Sequence, residues 1–166
     1  MKKLISAVLV AVILFSVCGF AGCSLVHKKL FTLSSEVSEV AAGEEFSVVI
    51  KMDKINKLAC LQYSVTADGE AEILKNSIID DNGLVVIPNA SKDILVMSAM
   101  VATVIDIEPF DFQKITFKVG ENAKPGDVIT VKLDVTQVLV GLDVRGDNTD
   151  NITDTVSGDT LTVKVK

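Results

Sequence analysis

The chain has 166 residues, with 16 Lys and Arg against 22 Asp and Glu, and its formal net charge is −6. This length suits a single domain. An acidic chain lacks the clustered basic side chains that neutralise phosphates, so we expect no nucleic-acid partner. The chain has no Trp, one Tyr and a single histidine, His27. This argues against ring-stacking sugar sites, histidine-dependent catalysis and histidine zinc sites, and we expect no enzyme.

The first 22 residues have the pattern of a bacterial export signal. Two lysines precede an apolar stretch at residues 4–15, as in a secretory signal peptide. Residues 20–23 (FAGC) resemble a lipobox, whose cysteine receives a diacylglyceryl group before cleavage. We therefore predict a signal peptide over residues 1–22 and a lipid on Cys23. An uncleaved transmembrane anchor also fits by length, and an ordinary signal peptide with a chance cysteine is a third possibility.

Export and lipidation predict a protein anchored to the bacterial cell envelope. We expect residues 23–30 to be the lipidated cysteine and a short tether, and residues 31–166 to be one domain. Seven tether residues span at most roughly 25 Å, so the domain would lie close to its bilayer. Lys28 and Lys29 could there touch anionic head groups or simply keep the tether soluble. The signal peptide carries two lysines and no acid, so the formal charge of the remaining chain is −8.

The cysteines agree with this prediction. Cys18 leaves with the signal peptide and Cys23 carries the lipid, so Cys60 remains alone and no disulfide forms within the chain. If Cys23 were unmodified, a disulfide between Cys23 and Cys60 could form instead.

Beyond residue 30 the apolar residues recur at every second position, which predicts half-buried β-strands. We find no stretch with helical periodicity. Eight or nine short strands separated by turns predict an all-β sandwich or jelly roll. The alternating apolar positions are Phe46, Val48, Ile50 and Met52; Leu61, Tyr63 and Val65; Ile115, Phe117 and Val119; Ile129, Val131, Leu133 and Val135; and Leu161, Val163 and Val165.

Glycines mark the expected turns. Asn82-Gly83 lies between two apolar runs and predicts a two-residue hairpin. Gly43, Pro125-Gly126 and residues 157–159 predict further turns. Residues 110 and 112 are phenylalanines of the opposite parity to the strand that follows. Either a bulge lies near residues 113–114 or that strand begins after residue 112.

The order of these pieces resembles a cohesin domain, the module that captures dockerins in cellulosome-type assemblies. The similarity covers residues 31–166. It rests on a strand, a glycine turn and a second strand at residues 41–48, and on a third strand at 58–67 followed by an acidic turn. A late strand at 115–119 and its Lys-Pro-Gly turn complete the pattern. The resemblance implies an antiparallel jelly-roll β-sandwich of about nine strands.

The resemblance also implies a protein-binding face. In cohesins, outward polar residues of the third strand help to bind dockerin, and here these are Cys60, Gln62 and Ser64, none of them charged. Residues 94–105 are apolar at both parities, so the outer face of their strand is either covered by loops or forms a contact patch. The matching cohesin strand belongs to the dockerin-binding sheet. The residues implied in partner binding are therefore Cys60, Gln62, Ser64, Val96, Ser98 and Met100.

Cys60 has two interpretations on this face. A lone exposed thiol in the envelope could form a mixed disulfide. Alternatively, it is a small apolar residue in a partly covered sheet, which we favour.

The segment from residue 141 to 159 is rich in Gly, Asp and Asn. Clustered carboxylates can bind calcium, but their spacing here does not fit an EF-hand, and we expect a solvated acidic loop without metal. The candidate calcium ligands that we considered are Asp143, Asp147, Asp150 and Asp154.

We therefore predict a monomeric envelope lipoprotein whose cohesin-like domain captures a dockerin-type module without forming a covalent bond. The resemblance places it in polysaccharide breakdown or in the surface attachment of enzymes. The domain itself needs no cofactor, and any calcium would be carried by the partner. Two alternatives remain open: a carbohydrate-binding module of related fold, and a structural envelope lipoprotein without a dockerin partner.

Overall fold

The computed structural model describes residues 27–141 and 149–166. Thirteen strands and one 3-10 turn (Thr153–Thr155) make up these ranges, and nine of the strands have five residues or more. The strands are β1 (Lys28–Lys29), β2 (Phe31–Ser35), β3 (Glu39–Val40), β4 (Glu45–Met52), β5 (Ile55–Asp68), β6 (Ala71–Ile78), β7 (Val85–Ala90), β8 (Ile94–Ile107), β9 (Phe110–Val119), β10 (Val128–Gly141), β11 (Thr149–Asn151), β12 (Val156–Ser157) and β13 (Asp159–Val165).

Two sheets pack face to face. The larger has the order β3-β13-β10-β5-β8-β7, with β11 added beside β10, and the smaller has the order β2-β4-β9-β6. Neighbouring strands are antiparallel, apart from β3 beside β13 and the separate pair β1 with β12. The predicted all-β antiparallel sandwich is confirmed. Within residues 27–141 and 149–166, no helix is long and apolar enough to span a bilayer.

The core lies between the sheets and follows the predicted alternation. On β4 the even-numbered residues from Phe46 to Met52 are buried, while their neighbours are half-buried or exposed. Aromatic rings pack in this core: the centroids of Phe31 and Tyr63, which belong to different sheets, are 4.9 Å apart, and those of Phe46 and Phe117, both in the smaller sheet, are 5.2 Å apart. Apolar burial of this kind is the main favourable contribution to folding. The alternation therefore leaves each strand with a separate outward row of side chains.

The hairpin predicted at Asn82-Gly83 is wrong. The tight turn itself is present, because both residues have positive φ (45° and 81°) and the Leu84 N–H donates to the Asp81 carbonyl at 2.8 Å. However, the strand before the turn, β6, belongs to the smaller sheet and the strand after it, β7, to the larger. The turn therefore carries the chain from one sheet to the other. A tight turn determines the local reversal of the chain but not which strand becomes the neighbour.

Strand β9 contains an irregularity near residue 112. Strand β9 begins at Phe110, and Phe112 is an extra residue between the Asp111–Lys51 and Gln113–Ile50 pairs. This confirms a bulge, which turns both Phe112 and Gln113 into the core.

The predicted turn at 157–159 is wrong: Gly158 separates β12 from β13, and a Cβ there would lie 1.8 Å from the Leu133 carbonyl oxygen. That glycine serves a close approach of two strands.

The predicted tether is partly docked on the domain. Lys28 and Lys29 form β1 against β12, and Leu30 is fully buried. The Lys29 ammonium also lies 2.8 Å from the Asp159 carboxylate. These backbone and side-chain contacts place Lys28, Lys29 and Leu30 against the folded edge of the domain.

A candidate protein-binding face on the larger sheet

The six residues implied in partner binding share one surface. Strands β5 and β8 pair antiparallel, with Cys60 opposite Met100, Gln62 opposite Ser98 and Ser64 opposite Val96. Directly opposed residues point to the same side of a sheet. Their neighbours along the chain, such as Leu61 and Met97, are fully buried. All six side chains therefore lie on the outer side of the larger sheet, which we call the β5–β8 face.

Strand β7 widens this face with two further apolar residues. Val85 lies opposite Met100, and Ile87 lies opposite Ser98. Val85 is 58% exposed, Ile87 53% and Met100 44%. The sequence alone did not assign Val85 and Ile87 to the face, because a Leu-Val-Val-Ile run has no parity. The proline that follows, Pro88, was the available signal, since proline within an apolar run marks an edge strand.

A line of hydrogen bonds crosses the middle of the β5–β8 face. The Gln62 amide donates from Nε2 to Ser98 Oγ at 3.1 Å, and Thr136 Oγ1 donates to Gln62 Oε1 at 3.4 Å. Both ends of the amide are engaged, so the Gln62 side chain is held against the sheet. The centre of the face is therefore ordered before any partner arrives, which lowers the entropy lost on binding.

The face carries little charge. The side chains of the six residues, and those of Val85 and Ile87, carry no formal charge, and the thiol of Cys60 is the only ionisable group among them. The nearest charges on β10 are Lys132 and Asp134, which pair with each other at 2.8 Å and are about half exposed. An exposed ion pair of this kind contributes little. The remaining surface is aliphatic with neutral amides and hydroxyls, which suits contact with an uncharged protein surface.

Cys60 is a free, half-buried thiol in this face. Burial raises its pKa, and a hydrogen bond with the Leu61 backbone only partly opposes the rise. Its Sγ lies 4.0 Å from Gln137 Oε1. A raised pKa reduces the thiolate fraction, and the thiolate is the reactive species. The geometry therefore favours Cys60 as a small apolar contact residue.

The outer side chains of β8 are partly exposed. Ile94 is 39% exposed and Met100 44% exposed, and Val96 between them is half-buried. The described chain therefore covers this outer row only in part. An exposed cluster of aliphatic side chains on one face is typical of an interaction site. The use of this row as a contact patch stays a prediction.

The acidic segment shows no metal-binding arrangement in its described part. Asp143 and Asp147 lie outside the described residues. Asp150 and Asp154 are exposed, and residues 27–141 and 149–166 contain no group of three or more His, Cys, Asp or Glu side chains that could hold a metal. Cys23 and the predicted signal peptide also lie outside the described residues.

Comparison with solved structures identifies the fold. No protein-family profile and no curated protein sequence matches the chain. The seventh ScaB type I cohesin from Pseudobacteroides cellulosolvens is similar, with a TM-score of 0.61 and 15% identity over 83% of this chain and 93% of that one. The sixth cohesin from scaffoldin B of Acetivibrio cellulolyticus, solved in complex with a dockerin, has a TM-score of 0.60 and 17% identity over 82% and 99%.

A third similar structure comes from a different setting. The cohesin module of a family 33 glycoside hydrolase from Clostridium perfringens has a TM-score of 0.53 and 18% identity, over 84% of this chain and 98% of that one. In all three cases the likeness spans nearly the whole cohesin module. The resemblance seen in the sequence is thereby confirmed at the level of architecture, and the domain described here has the cohesin fold.

Proposed function

We propose that this protein is an envelope lipoprotein whose cohesin-fold domain captures a dockerin-type module on the β5–β8 face. The observation that carries the proposal is the row formed by Val85, Met100 and Cys60 beside the ordered Gln62 amide. This surface offers exposed aliphatic side chains around fixed hydrogen-bonding groups, the usual composition of a protein contact. Cohesins of similar fold that were solved in complex with dockerins support the choice of partner.

The proposed role is non-enzymatic. The domain would hold an enzyme or another dockerin-bearing protein at the cell surface, in polysaccharide breakdown or enzyme attachment. We propose that the partner carries the calcium, in a site of its own where several oxygen ligands meet in one place. A chelator should then abolish capture by acting on the partner. We propose that the captor itself is a monomer.

The anchor is the second element of the proposal. We propose that Cys23 becomes the lipidated N-terminus after removal of residues 1–22. Because β1 begins at Lys28, only four residues separate Cys23 from the folded edge, and these span at most roughly 14 Å. The domain would therefore lie directly against the bilayer. Mass spectrometry of the N-terminal peptide from the membrane fraction should show a diacylglyceryl cysteine, and a Cys23→Ala variant should leave an uncleaved, unlipidated chain.

Capture can be tested with purified dockerin modules. The protein, purified in a non-ionic detergent and immobilised, is exposed to a panel of calcium-loaded dockerins from scaffoldin-borne and enzyme-borne sources. We expect at least one to be retained with calcium and released by a chelator. Met100→Glu should abolish retention, because a carboxylate in the aliphatic row would be desolvated without a partner. Leu74→Glu, at an equally exposed position (47%) on the smaller sheet, should retain it.

Three results would contradict the proposal. Failure of every dockerin to be retained removes the capture role and leaves a structural envelope lipoprotein. Equal retention by the Met100→Glu variant shows that another surface binds. Retention that persists in chelator shows that the partner's calcium is not required. Circular dichroism of both variants must show an unchanged fold for the comparison to hold.

The carbohydrate-binding alternative receives no support on the β5–β8 face. Carbohydrate-binding sites in which sugar rings stack on the protein present exposed aromatic side chains. The only tyrosine, Tyr63, is fully buried, and no aromatic residue is among the exposed large hydrophobic residues in the described part of the chain. This face therefore suits a protein partner better than a neutral sugar.

A further inference from the structure

The opposite side of the sandwich carries a second surface. A groove of about 620 Å³ crosses the outer side of β4, β9 and β6, with the end of β2 as one wall. Binding sites for small ligands are typically of about 300–1,000 Å³. We call it the small-sheet groove. The side chains that matter for its chemistry are four hydroxyls and two ammonium groups: Ser34, Ser47, Ser77, Thr116, Lys75 and Lys114.

On the outer side of the smaller sheet, some charged side chains lie opposite a side chain of the opposite charge and others do not. Glu45 and Glu72 both lie directly opposite Lys118, and Asp111 lies opposite Lys51. Each acidic residue of β4, β6 and β9 on this side therefore has a lysine across from it. Opposite charges in this position stabilise each other. Glu45 and Asp111, the two of these acids that line the groove, each lie opposite a lysine, and Glu45 shares Lys118 with Glu72.

The two lysines inside the groove lack such partners. Lys75 lies opposite Thr116, and Lys114 lies between Val49 and Ser77. Neither forms an ion pair within the described part of the chain. Lys75 and Lys114 are diagonal neighbours on adjacent strands, so their Cα atoms lie about 7–8 Å apart. Their like charges repel each other, so an anion between them would relieve the repulsion. Glu36, exposed at the rim after β2, is the remaining acid of the lining.

The groove floor offers hydrogen bonds at fixed positions. Ser47 Oγ and Thr116 Oγ1 are 3.2 Å apart and bond to each other. Thr116 is only 5% exposed, so its rotamer is held by its neighbours. Each hydroxyl can both donate and accept, so the pair keeps spare hydrogen-bonding capacity towards the groove. Ser77 continues this polar surface beside Lys114.

We propose that the small-sheet groove binds a uronate sugar chain. The carboxylate would lie between the ammonium groups of Lys75 and Lys114, and the ring hydroxyls would bond to Ser47, Thr116 and Ser77. The only aromatic residue of the lining, Phe46, is buried beneath the sheet, so ring stacking does not contribute. Charge-assisted hydrogen bonds are stronger than neutral ones, which selects an acidic sugar over a neutral one. The groove and the β5–β8 face lie on opposite sides, so this site is independent of dockerin capture.

The test compares an acidic and a neutral sugar of the same length. The protein in a non-ionic detergent is titrated with a galacturonate trisaccharide and with a galactose trisaccharide by isothermal titration calorimetry at low salt. We expect the galacturonate trisaccharide to bind and the neutral one to give no signal. A Lys75→Gln/Lys114→Gln variant should bind about tenfold or more weakly, because two hydrogen bonds to a charged group are lost. Added salt should weaken binding by the wild type.

The matched control removes two exposed lysines that lie outside the groove and face none of its acids. Lys124→Gln/Lys164→Gln changes the net charge by the same amount and should keep the affinity within about twofold, because only screened long-range charge is lost. The proposal is overturned if the galacturonate trisaccharide does not bind the wild type, if both sugars bind equally, or if both double variants lose the same affinity. Dockerin retention by the Lys75→Gln/Lys114→Gln variant, measured in parallel, shows that its fold is intact.

Discussion

Tyr63 Oη donates a 2.6 Å hydrogen bond to Gln113 Oε1, and both side chains are fully buried. Tyr63 belongs to the larger sheet and Gln113 to the smaller, so this bond joins the two sheets through the core. Burial raises the pKa of the phenol well above its usual value, so Tyr63 remains a donor. The Gln113 amide nitrogen has no hydrogen-bond partner in the structure. The bulge at Phe112 turns Gln113 inward and makes this contact possible.

Replacement of Tyr63 by Phe should destabilise the domain. The variant leaves the whole Gln113 amide buried without a partner, which costs about 1–3 kcal/mol. A Tyr63→Phe/Gln113→Met double variant should recover part of that loss, because removing both polar partners of a buried pair is nearly neutral. Urea unfolding followed by circular dichroism measures both. A double variant less stable than Tyr63→Phe would show that Gln113 has another stabilising contact.

Gly158→Ala should be one of the most damaging small substitutions in the domain. The new Cβ would meet the Leu133 carbonyl oxygen at 1.8 Å, and Leu133 is backbone in the adjoining strand, so β12 or β10 must move. We expect a loss of about 3 kcal/mol or more, or failure to fold. Gly83→Ala is the control: nothing lies within 4 Å of its Cβ, but its φ of +81° costs an alanine about 1–2 kcal/mol. Equal melting temperatures for the two variants would refute the clash.

Asp159 should make stability depend on pH. Desolvation raises its pKa, but hydrogen bonds from Lys29 and from the backbone N–H groups of Leu33 and Thr160 outweigh it, so the pKa is lowered from 3.8. Its stabilising contribution is therefore fully present above the ordinary pKa and is lost as the pH falls through the lower, folded-state pKa. Asp159→Asn should cost about 1–2 kcal/mol near pH 7.

The same comparison at acidic pH provides the check. The stability difference between wild type and Asp159→Asn should shrink below about pH 4, where Asp159 becomes protonated in the unfolded chain. Asp134→Asn is the matched control, because its pairing with Lys132 is about half exposed on both sides and should contribute under about 1 kcal/mol. A difference for Asp159→Asn that stays constant from pH 7 to pH 3 would argue against the charge effect.

Cys60 should report occupancy of the β5–β8 face. Because burial raises the pKa of its thiol, alkylation by iodoacetamide at pH 7 should be slower than for a free cysteine peptide and should rise at higher pH. A captured dockerin should protect it further, since Cys60 lies opposite Met100 on the proposed contact face. Peptide mass spectrometry measures the modified fraction. An unprotected thiol in a saturated complex would place the partner on another surface.

The sequence predicted the elements of this protein better than their neighbours. Alternation along β4 and β5 identified both the strands and their buried rows, because side-chain direction in a strand is a local property with a period of two. The same parity placed Cys60, Gln62 and Ser64 outward. The opposed parities at Phe112 and Phe117 left two alternatives, a bulge near residues 113–114 or a strand that begins after residue 112, and the structure shows a bulge at Phe112. The order of these strands was sufficient for the resemblance to the cohesin fold.

Strand neighbours were decided by the tertiary structure. The turn at Asn82-Gly83 was predicted correctly, but its strands join different sheets, because sheet membership depends on long-range pairing that no local pattern encodes. The same pairing brings Val85 beside Met100, leaves Lys75 and Lys114 without acidic partners, and presses Gly158 against Leu133. By itself the sequence determined which side faces water in the strands whose apolar residues alternate, such as β4 and β5. Only the packed sheets determined which outward rows meet to form a surface, because that depends on register between residues far apart in the chain.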